Sequence, residues 1–134
     1  MRKALFLLVA IFFFFLSYAQ KYEWSKGLGG TRNDRGHSIA VDDSGNVYTT
    51  GVFYSTADFD PGTGVANLIS AGQYDIFISK LNSSGNFLWA KRIGGSGYEW
   101  TYSLAVDDSG NVFITGEFER TVDALLGAVA KSDA

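Results

Sequence analysis

Two stretches decide how this chain reads: Ala40-Val41-Asp42-Asp43-Ser44-Gly45-Asn46-Val47, and 65 residues later Ala105-Val106-Asp107-Asp108-Ser109-Gly110-Asn111-Val112, the same residue for residue. Outward from them, Trp24–Asp58 aligns without gaps on Trp89–Asp123. Trp24 falls on Trp89, Lys26 on Lys91, Gly29-Gly30 on Gly94-Gly95 and Ser38 on Ser103. Thr50-Gly51, Phe53, Thr56 and Asp58 recur as Thr115-Gly116, Phe118, Thr121 and Asp123. About half of the aligned positions are identical. Self-similarity at a fixed spacing is the mark of a repeat architecture.

The shared stretch has the chemistry of a tight hairpin turn. Asp or Ser bonds its own backbone to start the reversal, and Gly accepts the positive φ that other residues avoid. A weaker echo, Ser83-Ser84-Gly85-Asn86-Phe87-Leu88, supplies a third turn. Each turn lies between short aliphatic and aromatic runs, which predicts three hairpins. Ser38–Asp42 pairs with Val47–Phe53, Asp75–Leu81 with Phe87–Ile93, and Ser103–Asp107 with Val112–Phe118. Tyr22–Leu28 aligns with Phe87–Ile93 and is expected to be the last strand of a preceding unit. Ser55–Gly64, rich in Gly, Asp, Pro and Thr, reads as irregular loop.

The expected fold class is therefore all-β, with antiparallel four-stranded blades of propeller type: one full blade plus partial neighbours. A β-sandwich of the same hairpins is the competing architecture. Composition agrees with many short strands, with 16 glycines, one proline and 16% aromatic residues.

The first residues follow a different logic. Arg2 and Lys3 precede an almost unbroken apolar run, Ala4–Leu16, and Ser17-Tyr18-Ala19 places small residues where a signal peptidase reads them. Residues 1–19 are expected to be a helical signal peptide cleaved near Ala19–Gln20, which directs the chain to the periplasm, cell surface or medium. The run is shorter than the ~20 residues that cross a bilayer as a helix. Residues 20–123 form the repeat region, with copies 24–88 and 89–123, the second incomplete; 124–134 is a divergent tail. The chain has no cysteine, so neither a disulfide nor lipid attachment is available. Removing Arg2 and Lys3 takes the formal charge from −3 to −5. That sign argues against nucleic acid and anionic membranes.

The pattern Trp24-x-Lys26, Gly29-Gly30, Ser38 through Tyr48 and Gly51 resembles the SBBP family of bacterial β-propeller repeats. Asp58-Phe59-Asp60-Pro61-Gly62, Tyr74 through Leu81 and Trp89-Ala90-Lys91 are similar to the version found in secreted proteins of Bacteroidetes-like bacteria. The resemblance implies a propeller outside the cytoplasm and no particular activity. It ends after Asp123, where Ala124-Leu125-Leu126-Gly127 replaces the Phe-Asp-Pro-Gly of the first copy. One full blade and part of another are fewer than the four to eight of a closed ring, so the expectation is a fragment of a longer array.

For chemistry, the acidic turns come first. Asp42, Asp43 and Asn46, and again Asp107, Asp108 and Asn111, gather oxygen donors of the kind Ca²⁺ takes. The competing reading, and the stronger one, is that they simply build the turns. Asp58 and Asp60 form a lesser acidic cluster. No catalytic residue is assigned. His37 is the sole histidine and becomes Tyr102 in the second copy, and no G-x-S-x-G elbow appears. Gly94-Gly95-Ser96-Gly97 lacks the lysine of a phosphate loop. Trp24 and Trp89 are expected to be packing residues, whereas Trp100, which replaces Arg35, is the candidate for a surface contact. The reading is a secreted, non-catalytic repeat protein with a structural or interaction role. A Ca²⁺-stabilised module binding an extracellular protein or glycan is the alternative, and a hydrolase or lyase ranks below it. Open strand edges make self-association an expectation.

Overall fold

The three turns form as their residues dictate. In the computed structural model, which describes residues 21–119 in full and the backbone of 122–124 and 129–131, Asp42 N–H donates to Asn46 O at 3.0 Å. Gly45 N–H donates to Asp42 O at 2.8 Å. The same two bonds recur at Asn82–Asn86 and Asp107–Asn111. Gly45, Gly85 and Gly110 all sit at positive φ, 76°, 77° and 80°, where a Cβ would be strained.

From these turns extend β2 (Arg35–Val41), β3 (Val47–Asp58), β4 (Asn67–Leu81) and β5 (Phe87–Gly95), preceded by the two-residue β1 (Gly29–Gly30). Strands β2 to β5 run as an antiparallel meander, each beside the next, which is one complete blade. A second sheet holds β6 (Glu99–Val106) and β7 (Val112–Phe118), antiparallel, with β9 (Val129–Lys131) parallel to β7. The described residues are all-β and, the parallel β9 apart, form antiparallel blades as the repeat predicts.

The repeat also governs fine detail. Register shifts fall at Gly36/Ser38 in one hairpin and at Thr101/Ser103 in the other, 65 residues apart. Gly29 and Gly30 pair with Asp58 and Ala57, and their counterparts Gly94 and Gly95 pair with Asp123 and Val122 in β8 (Val122–Ala124). The end of each unit's outer strand thus pairs with the Asp58 or Asp123 segment of the following unit.

Two expectations are corrected. Residues 21–28 carry no strand; the strands that would flank Tyr22–Leu28 in a preceding unit are not among the described residues. Trp24 instead donates its indole N–H to Ser83 O at 3.0 Å, while Trp89 packs edge-on against Tyr48, so the two tryptophans have unlike surroundings. Second, Ser55–Gly64 is not all loop. β3 continues to Asp58 and β4 begins at Asn67, because Ser55 takes a left-handed φ of 71° and the resulting shift restores pairing of Thr56, Ala57 and Asp58 with Ile69, Leu68 and Asn67. The signal segment 1–19, its cleavage site and much of the 124–134 tail lie outside the described residues.

Alternation along β3 and β4 sends side chains to both faces of the blade, and both are buried. On one face Tyr48, Val52, Ile76, Ile78 and Ile93 meet Leu104 and Ile114 of the second sheet. On the other, Phe53, Ala57, Phe59 and Phe77 form a separate cluster.

Candidate functional site

Packing β6 against the first sheet brings the first and third turns together. Between them lies a cleft of about 310 Å³ walled by Asp42, Asp43, Asn46, Lys80, Asp107 and Asp108. Five of the six residues singled out in the acidic turns line it; Asn111 belongs to the same turn but does not face the cleft.

The two aspartates of each pair do different work. Asp42 Oδ1 accepts the N–H groups of Ser44 at 3.1 Å and Asn46 at 2.8 Å, and its Oδ2 accepts the Asn46 amide at 2.8 Å and the Tyr48 hydroxyl at 3.2 Å. Lys80 Nζ lies 3.6 Å from the same Oδ2. Asp107 repeats the core of this with Ser109, Asn111 N–H and the Asn111 amide at 3.0, 2.8 and 2.7 Å. Asn82 does the same for the second turn, at 3.0 and 2.9 Å from Ser84 and Asn86 N–H. The turn-building residue is thus the first acidic position, and a neutral amide fills it as well as a carboxylate. Asp43 and Asp108 have no such engagement among the hydrogen bonds of the described residues.

Electrostatics follow from these bonds. The Asn46 amide, with the Asn46 backbone, Tyr48 and Lys80, holds the Asp42 carboxyl below its usual range, and the Asn111 side chain does the same for Asp107. Lys80 is raised, first by its bond to Tyr48, over whose ring it lies at 4.6 Å. At neutral pH the cleft combines ionised Asp42 and Asp107 with a charged lysine.

Ca²⁺ requires about six to eight oxygen ligands. Asp42 and Asp107 spend oxygens on their own turns, and among the described residues no three His, Cys, Asp or Glu side chains are grouped to hold a metal. The lesser cluster is built alike: Asp58 accepts Asp60 and Ala66 N–H, and Asp60 accepts Gly62 N–H.

Trp100 lies at the seam between the sheets. It is half-buried, tilted against His37 at 4.5 Å with Arg35 above its ring at 5.8 Å, so packing accounts for it. His37 Nδ1 is 2.7 Å from Thr101 O and therefore also serves the seam.

One unusual residue escaped sequence reasoning. Glu99 is fully buried with neither carboxylate oxygen hydrogen-bonded. Burial, reinforced by the Asp75 and Glu119 carboxylates and opposed by the Gly95 peptide and Arg92, pushes its pKa up to about 7. The repeat held the signal only indirectly, since its counterpart Asp34 is bonded to Gly30 N–H at 2.6 Å. Glu99 and Asp107 stand at opposite ends of β6, roughly 25 Å apart along an extended strand, so this acid is no partner for the cleft.

Comparison with known proteins agrees with the architecture. An uncharacterized WD repeat-containing protein of Acanthamoeba polyphaga mimivirus is 29% identical over 109 residues, covering 71% of this chain and 8% of its own length. The chain therefore spans a small part of that relative. No solved structure matches it. The family described as SBBP, beta-propeller repeat, matches residues 23–60 and 88–117, the two copies whose hairpins form the sheets above. The chain belongs to the SBBP family of beta-propeller repeats.

Proposed function

We propose that this chain is an exported, non-catalytic repeat scaffold whose acidic cleft receives a cationic group of an extracellular partner, a basic protein side chain being the simplest. The observation that carries the reading is the convergence of two turns, 65 residues apart in sequence, on one cleft. There Asp43 and Asp108 keep carboxylates that the turns do not use. Export rests on the segment Arg2–Ala19. The absence of an assigned nucleophile or acid–base pair in the cleft supports a binding role.

The test is fluorescence anisotropy with a labelled tetra-arginine peptide and a tetra-glutamate control. Binding of the basic peptide, weakened at least five-fold by Asp43→Asn with Asp108→Asn, is the expected result. Equal binding of both peptides, or no effect of the double variant, overturns it. A melting-temperature rise on adding Ca²⁺, reversed by EDTA, favours the Ca²⁺-stabilised binding module instead. Mass spectrometry of exported material should find an N-terminus at Gln20.

A further inference from the structure

Three tyrosines meet at the end of the sheets opposite the acidic turns. Tyr54 of β3 pairs directly with Tyr74 of β4, their ring centroids 5.7 Å apart. Tyr98, just ahead of β6, lies against Tyr74 at 6.1 Å with the ring planes 25° apart. Two of the rings belong to the first sheet and the third leads into the second, so they lie within the seam and not on an outer face. Tyr54 and Tyr98 are nevertheless 38% and 45% exposed. The repeat does not require them: the counterpart of Tyr54 is Glu119, and that of Tyr98 is Asn33.

The backbone holds these rings in place. Ser55 takes a left-handed φ of 71°, and its bulge leaves residues 70–73 of β4 without partners in β3. The bulge is tied down by Ser55 N–H on Ser70 Oγ at 2.9 Å, Ala71 N–H on Asp75 at 2.9 Å and Gln73 N–H on Gly97 O at 3.2 Å. The Tyr98 hydroxyl in turn donates to the side-chain oxygen of Gln73. Bulges and left-handed residues of this kind re-aim side chains at functional sites. A surface fixed beforehand also loses little entropy on binding.

We infer that Tyr54, Tyr74 and Tyr98 form a stacking surface for a neutral polysaccharide. The apolar C–H face of a pyranose ring suits the negative face of a phenol ring. Beside the rings stand acceptors: the Asp34 carboxylate, 3.4 Å from Tyr54 N, and the Glu119 carboxylate, 3.2 Å from Tyr98 N. Both can take hydroxyl donors from a sugar, and the Gln73 amide nitrogen donates in return. The same carboxylates repel the bare carbonyls of a proline-rich peptide, the other ligand that aromatic surfaces hold. With the formal charge of −3 they also disfavour acidic glycans. The surface is separate from the acidic cleft, since Val47 and Tyr54 are roughly 23 Å apart along β3.

Affinity electrophoresis of the full chain, in gels containing xylan, laminarin or hydroxyethylcellulose, tests this. At least one of these polymers should retard the parent, and a polyproline peptide should not compete. Tyr98→Asn and Tyr54→Glu, which install what the other copy carries at those places, should each weaken retardation about ten-fold. Tyr98→Phe should keep most of it. Tyr22→Ala, at an exposed tyrosine elsewhere, should leave it unchanged. So should Asp43→Asn with Asp108→Asn, so this inference and the cationic-group reading of the cleft fail separately. Unaltered migration in all three gels overturns the inference. So do equal losses in Tyr22→Ala and Tyr98→Asn, competition by the peptide, or stronger retardation by the acidic polymer polygalacturonate.

Discussion

The guanidinium of Arg92 meets the carboxylate of Asp75 at 2.5 Å, and the two are buried unequally: Asp75 completely, Arg92 with 26% of its side chain exposed. Asp75 also accepts Ala71 N–H at 2.9 Å and Gly72 N–H at 3.4 Å. The pair ties β5 to the point where β4 passes from its outer to its core segment.

Removing the cation leaves a buried carboxylate with two peptide donors. Arg92→Ala should cost about 3 kcal/mol, the lower end of the range for breaking a buried pair because Arg92 is partly solvated. Asp75→Asn, which removes the charge and keeps the shape, should cost less. Urea unfolding at pH 7 measures both.

Glu99 makes stability fall as pH rises. Its folded pKa of about 7 lies above the ordinary 4.5, so the folded state keeps a proton that the unfolded chain releases. Its contribution is complete below about pH 4.5 and is lost as pH climbs through 7. Glu99→Gln should flatten this slope and, at pH 8, be more stable than the parent by about 1–2 kcal/mol. Melting temperatures across pH 5–8 decide the matter; parallel curves for parent and variant would sink it.

Asp42 acts in the opposite sense. Hydrogen bonds depress its folded pKa, so its contribution is present above the unfolded value near 3.8 and disappears as pH falls through the folded one. Asp42→Ala should lower the melting temperature at pH 7 roughly twice as much as Asp107→Ala, since Asp42 also holds Tyr48 and Lys80. The difference between the two variants should narrow as pH falls through the folded value of Asp42.

The recurring Thr-Gly pair marks a close approach of backbones. A Cβ on Gly51 would lie 1.9 Å from Arg35 O and 2.8 Å from the Phe77 ring, and one on Gly116 would lie 2.1 Å from Trp100 O. Gly51→Ala should cost about 3 kcal/mol or more, and Gly116→Ala should also destabilise. Gly36→Ala, whose Cβ meets only the Thr49 methyl at 4.0 Å, should be tolerated. Chemical denaturation of the three variants gives the ranking.

Repetition and local chemistry determined much of this molecule. Identical Asp-Asp-Ser-Gly-Asn segments specify identical turns, because an Asx cap and a positive-φ glycine need nothing beyond the turn itself. The six central strands follow from the apolar runs beside them, and the acidic residues of the cleft were legible as turn residues. Tertiary structure decided the rest. Ser55 could be recognised as a bulge rather than a break only once β4 supplied partners for Thr56, Ala57 and Asp58. The placing of Asp43 and Asp108 on one cleft, the burial of Glu99 and the seating of Trp100 on His37 all required two sheets to close. The exposed Ile39 and its buried counterpart Leu104 show why: a repeat gives both positions the same local conformation, but burial belongs to whichever surface finds a neighbour, and a sequence period does not encode that.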